Sequence, residues 1–157
     1  MSAVIEMSLG RIRNMTEADL DEVMAIETDI YDYPWTRGIF QDCMRVGYLC
    51  HVLEQDDVIK AYSVLSVGVA EAHVLTLCVR PDSQRQGLGR MMMEYMLELA
   101  SQGGAETILL EVRPSNESAI RLYHQLQFNE VGLRPDYYPS ADGREDALIM
   151  ARSLLSA

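Results

Sequence analysis

The feature that most constrains this chain is a change of period around two glycines. Ala72 to Val79 is largely apolar and reads as a strand. After Gly87, by contrast, Leu88, Met91, Met92, Tyr95, Met96 and Leu99 recur at three- and four-residue spacing until Gly103-Gly104 ends the pattern. Between them lies Gln84-Arg85-Gln86-Gly87-Leu88-Gly89-Arg90. A strand passing through a glycine loop into a helix must lay that helix on a sheet face. It also brings unpaired N–H groups and the positive end of the helix dipole to one point.

Phosphate loops of known form narrow what that point holds. A Walker loop needs Gly-x4-Gly-Lys-Ser/Thr, and no lysine or hydroxyl follows Gly89. A dinucleotide fingerprint needs a third glycine, where this chain has Met92. Two readings stay open on the residues alone. In one, the glycines simply turn the chain. Alternatively, Gln84, Gly87 and Gly89 form a Gln/Arg-x-x-Gly-x-Gly diphosphate cradle, with Arg85 and Arg90 as added donors.

The flanking segments give the fold class. Leu9 to Arg13 is expected to be a short strand, and Thr16 to cap a helix with Leu20, Val23, Met24 and Ile26 on one face. Asp19 is a loose match to a capping box. Tyr33-Pro34-Trp35 breaks that helix before a second one through Phe40 and Met44. Strands follow at Tyr48 to Leu53, Val58 to Val67 and Ala72 to Val79, with short turns that make them antiparallel neighbours. Past the glycine loop come a strand at Thr107 to Arg113, a helix at Asn116 to Gln125, and strands at Phe128 to Leu133 and Ala147 to Ala151. The expectation is an α/β (α+β) chain with helices packed on a central sheet, and residues 1–157 form one domain.

Charge and composition exclude several function classes. The formal net charge of −11 disfavours nucleic acid and anionic membrane surfaces and suits a basic substrate. No apolar run is long enough to span a bilayer, and Met1 to Gly10 lacks the basic flank and apolar run of a signal peptide, so a cytoplasmic location is expected. Cys43, Cys50 and Cys78 show no metal or redox spacing and read as buried reduced thiols. His51, His73 and His124 have no ligand spacing either, and surface or core roles are expected of them without a metal.

Two further residues carry chemistry. Alternation along Thr107 to Arg113 sets Glu111 on the face opposite Ile108, Leu110 and Val112. It is either a solvated strand carboxylate or a functional one. Tyr123 lies on the apolar stripe of the next helix, three residues after Ile120, where core packing and a site role are both open.

Taken together, the cradle and the run Leu-Glu-Val-Arg-x-Ser-Asn-x-x-Ala-Ile-x-Leu-Tyr-x-x-Leu-x-Phe resemble the GCN5-related N-acetyltransferase (GNAT) family. Within it they are similar to the branch that modifies the N-terminal alanine of a ribosomal protein. Tyr33-Pro34-Trp35, Tyr137-Tyr138-Pro139 and Asp142-Gly143-Arg144-Glu145-Asp146-Ala147 match elements of that branch, with Tyr33 in place of its usual Phe. The likeness is close from Cys78 to Met150 and loose before Tyr31.

The resemblance implies a mixed, mostly antiparallel sheet and acetyl-coenzyme A as co-substrate without a metal. It implies Glu111 as general base and Tyr123 as general acid. Leu77, Cys78 and Val79 would hold the pantetheine and acetyl group along a strand edge, and Arg85, Gln86, Gly87, Leu88, Gly89 and Arg90 would hold the pyrophosphate. Asn116 would be a further coenzyme contact, while Tyr33, Trp35, Tyr137 and Tyr138 would line the peptide entry. The implied acceptor is the N-terminus of a basic small-subunit ribosomal protein, with the enzyme a monomer or weak oligomer. A lysine or small-amine acetyltransferase, and a non-catalytic acyl-coenzyme A sensor, are the competing expectations.

Overall fold

A computed structural model describes residues 10–155. Leu9, expected to open the first strand, lies outside the described residues. The chain runs β1 (Arg11–Asn14), a 3-10 turn (Glu17–Asp19), α1 (Leu20–Ile30), α2 (Arg37–Arg45), β2 (Leu49–Gln55), β3 (Val58–Val67) and β4 (Glu71–Val79). It continues with α3 (Leu88–Gln102), β5 (Thr107–Val112), α4 (Glu117–Gln125), β6 (Asn129–Ser140) and β7 (Gly143–Ser153). The strands form one seven-stranded sheet in the order β1-β2-β3-β4-β5-β7-β6. The pairs β1/β2, β2/β3, β5/β7 and β6/β7 are antiparallel, and β4/β5 is parallel, as a helical crossover between consecutive strands requires. The expected mixed, mostly antiparallel sheet with helices is therefore what forms.

Contacts divide the chain into two compact units, Met1–Ser66 with Thr76–Met96, and Val67–Leu75 with Leu97–Ala157. In the first, Ile12, Leu53, Ala61, Leu88 and Met92 bury one another, with Leu77, Val79, Met91 and Tyr95 packed around them. Leu88 is only 1% exposed, so the first residue of α3 anchors the glycine loop to the core. Truncating it to Ala would cost about 2–5 kcal/mol. Met92 and Met96 are fully buried, which is the packing role their spacing predicts; Met91, on the same stripe, is only partly buried, and Met93, outside it, is fully buried. Phe40 meets Tyr62 edge-on at 5.7 Å and Trp35 at 5.2 Å. Asp56 and Asp57, at φ 54° and 65°, make the tight turn between β2 and β3.

The second unit buries Ile108, Leu110 and Val112 from one face of β5, together with Tyr123, Phe128, Ala147 and Met150. The last two strands are far longer than the expected Phe128 to Leu133 and Ala147 to Ala151. Pro135 and Pro139, and the exposure of residues 129–137, erase the alternation by which a strand is recognised. The register slips between Arg134 and Tyr138, where a bulge takes in Pro135, and Asp136 sits at φ 51°. The Asp136 N–H donates to Asp146 Oδ1 at 2.9 Å, so the bulge is tied across to β7.

Candidate active site

The cradle candidates lie in the first unit. Gln84 turns back along β4, its amide donating to the Val79 carbonyl at 3.1 Å. Arg85 and Gly87 then adopt left-handed backbone, at φ 67° and 83°. Left-handed residues on either side of Gln86 make this a tight loop that leads directly into the N-terminus of α3. A Cβ built on Gly87 would meet nothing within 4 Å, so the space beside this backbone is open to a ligand. Arg85, Gln86 and Gly87 are exposed, Leu88 is buried, and Gly89 and Arg90 open α3 half-buried. The donors, the dipole and the open space fit a diphosphate.

Leu77, Cys78 and Val79 end β4. Pairing of β4 with β5 runs from Glu71↔Thr107 to Val74↔Leu110 and stops there, short of these three residues. Cys78 points inward: its thiol interacts with the Tyr62 and Tyr31 hydroxyls, and burial pushes it up to about 11. At that value it is a protonated core thiol and no nucleophile. Tyr62 in turn donates to Glu27 Oε1 at 2.5 Å, and the Trp35 N–H donates to Glu27 Oε2 at 2.9 Å. Glu27 occupies a core-facing position of α1 where the sequence pattern predicted only apolar residues. Its two bonds explain how a 3%-exposed carboxylate is tolerated. Trp35 is held through its backbone and packed on Phe40, whereas Tyr33 stands 52% exposed.

The acid and base candidates lie in the second unit. The Glu111 side chain is 10% exposed and sits 2.7 Å, through Oε1, from His73 Nε2. Tyr123 packs its ring on Phe128 at 5.9 Å, and burial pushes its hydroxyl up to about 12. Burial first, then the charges of Tyr137 and Glu111, raise the Tyr138 hydroxyl above its ordinary range. Tyr138 is thus close enough to Glu111 and to Tyr123 to interact with each. The rings of Tyr137 and Tyr138 meet edge-on at 4.9 Å, and Tyr137 remains 39% exposed. Asn116 caps α4, its Oδ1 accepting the Ala119 N–H at 3.3 Å, so only its amide nitrogen is left for a ligand.

Three residues of this cluster were not read from the sequence. His73, expected on the surface or in the core, touches Glu111 because the parallel register sets it opposite Leu109, two residues away along β5. Arg113 and Glu145, noticed only as motif letters, form an ion pair at 3.0 Å. Of the other histidines, His51 is buried beside Tyr95 at 5.1 Å and His124 is exposed near Glu130, as expected. Among the described residues there is no cluster of His, Cys, Asp and Glu able to hold a metal ion, and no helix is long and apolar enough to cross a membrane.

Each taken by itself, the open glycine loop of the first unit and the grouping of Glu111 and Tyr123 around Tyr138 in the second are features that an acyl-group transferase can use. A family model described as the acetyltransferase (GNAT) family matches residues 16–128, and the chain belongs to that family of acetyl-coenzyme A-dependent acyltransferases. It is 39% identical over 143 residues to the [ribosomal protein bS18]-alanine N-acetyltransferase of Escherichia coli K12, covering 91% of this chain and 97% of that one. The crystal structure of the ribosomal-protein-S18-alanine N-acetyltransferase from Escherichia coli matches with a TM-score of 0.85, over 93% of this chain and 94% of that one, at 39% identity. Ard1 from Thermoplasma volcanium matches with the same TM-score of 0.85 at 26% identity, over 94% and 99% of the two chains.

Proposed function

We propose that residues 1–157 act as one N-acetyltransferase domain that modifies the N-terminal alanine of the ribosomal protein bS18 in the cytoplasm. The observation that carries this reading is the likeness to bS18-alanine N-acetyltransferases along nearly the whole of both chains. The geometry supports it with the half-buried Glu111 and the buried, protonated Tyr123.

The order of events follows from elementary proton chemistry. An α-ammonium has a pKa of about 7.7–8.0 and must lose a proton before it can attack, which Glu111 takes directly or through one water. Acetyl-coenzyme A, when bound, supplies the acetyl group as a thioester. Arg85 to Arg90 would hold its diphosphate, with Asn116 as a further contact, and the Leu77 to Val79 backbone would align the pantetheine and give N–H donors to the carbonyl oxygen. The Tyr123 hydroxyl gives its proton to the departing sulfur. Tyr33, Trp35, Tyr137 and Tyr138 would receive the first peptide units. A lysine ammonium, at about 10.4, is harder to deprotonate by roughly 3.4 kcal/mol, which favours the α-amine.

The test offers three acceptors at equal concentration and follows coenzyme release. They are a basic peptide with a free N-terminal Ala, the same peptide N-blocked with its lysines intact, and a polyamine. The free peptide should react fastest, and added salt should slow it because the acidic chain steers a cation. Faster acetylation of either rival would overturn the α-amine assignment, and coenzyme binding without release on any acceptor would favour a sensor.

A further inference from the structure

We propose that His73 is a positioning residue for the base, holding Glu111 Oε1 so that Oε2 takes the proton. The proposal rests on the reading of Glu111 as general base and adds a residue to it.

The bond is 2.7 Å long, within the range of a charge-assisted hydrogen bond. An ionised carboxylate only accepts, so the hydrogen lies on Nε2 of His73. Parallel pairing of β4 with β5 fixes the two backbones relative to each other at His73↔Leu109 and Val74↔Leu110, immediately before Glu111. The donor is therefore mounted on the same rigid ladder as the acceptor, and the carboxylate loses rotamer freedom on forming the bond. The bond to His73 engages Oε1 and leaves Oε2, the second oxygen of Glu111, outside it. It is the oxygen left to receive the ammonium proton, while the Nε2–H···Oε1 bond persists in both protonation states. The proton passes from the substrate nitrogen to Oε2 and then to solvent. At 35% exposure its side chain can be replaced without opening the core.

Initial rates of His73→Ala, His73→Gln, Glu111→Gln and the His73→Ala/Glu111→Gln double variant, with melting curves and coenzyme titrations, test this. Gln presents an N–H near the place of Nε2, so His73→Gln should keep most of the wild-type kcat. His73→Ala should lose about 10-fold to 100-fold in kcat, with the KM for acetyl-coenzyme A and the melting temperature unchanged. If His73 acts through Glu111, the double variant should be no slower than Glu111→Gln alone. His73→Leu, close in size, serves as the removal variant should His73→Ala melt early. A slow Glu111→Gln beside a wild-type His73→Ala would overturn the proposal and leave the base assignment standing, as would losses that multiply in the double variant. A wild-type rate for Glu111→Gln would overturn the base assignment itself, and the proposal with it.

Discussion

The guanidinium of Arg113 lies 4.4 Å from the centre of the Tyr138 ring while its Nη1 donates to Glu145 Oε1 at 3.0 Å. Glu145 Oε2 also accepts the Ser115 N–H at 3.2 Å, so one carboxylate of β7 ties the turn after β5 to the ring proposed to receive the peptide. The bonds to Ser115, then to Arg113, hold the Glu145 carboxyl below its ordinary range. Arg113→Gln should free the Tyr138 ring. The loss of a cation–π contact of about 1 kcal/mol predicts a rise of roughly fivefold in the KM for peptide. Coenzyme affinity should not move, and steady-state kinetics against both substrates would show a parallel change in the two constants if the clamp served only the fold.

Gly87 carries the second prediction. Its φ of 83° is a conformation that other L-residues adopt at a cost of about 1–2 kcal/mol, and the space beside it is open. Gly87→Val should both strain the loop and fill the approach to the diphosphate, weakening acetyl-coenzyme A by about 10-fold or more, with a small loss of melting temperature. Calorimetric titration checks it. Native affinity in a folded variant would leave the cradle without support.

The proton steps give the third. Glu111→Gln should slow turnover at pH 7 by about 10² to 10⁴, and the loss should shrink above pH 8 as the α-amine deprotonates by itself. Tyr123→Phe should show no such recovery. With its hydroxyl pushed up to about 12, Tyr123 is protonated throughout the range from pH 6 to 10. A pH–rate profile in which both variants recover alike would refute the division of roles.

The elements that set these residues in place were unequally visible in the sequence. The glycine loop and α3 were legible because a period of 3.6 follows a strand across two glycines, and β5 because its alternation matches its burial. Asp19, a loose capping match, does accept the Thr16 N–H at 2.7 Å. The β6/β7 hairpin was half hidden, since prolines and a bulge interrupt the pairing that makes a strand periodic. Glu27 was invisible as a core residue because its partners Tyr62 and Trp35 come from β3 and from the segment before α2. His73 was missed for the same reason. Its contact with Glu111 spans 38 residues and exists only through the parallel register.

Asp19 supplies the last prediction, on stability. Both its oxygens receive the Arg13 guanidinium at 2.8 Å, and Arg13 also reaches Glu54 at 3.2 Å, so a nearly buried carboxylate is balanced by a shared cation. The Arg13 bond is the main cause that lowers the Asp19 carboxyl below its ordinary range, against the opposing effect of burial. A carboxyl depressed in the folded state stabilises the fold above its unfolded pKa of about 3.9, and that contribution is lost as the pH falls through the folded value. Asp19→Asn removes the charge and should cost about 2 kcal/mol at pH 7, the size of a hydrogen bond to a charged group. In acid, where the wild-type carboxylate is itself protonated, the two proteins should converge. Urea midpoints at pH 7 and at a pH below the folded-state titration of Asp19 measure both quantities. An equal gap at the two pH values would show that the loss comes from packing and not from the ion pair.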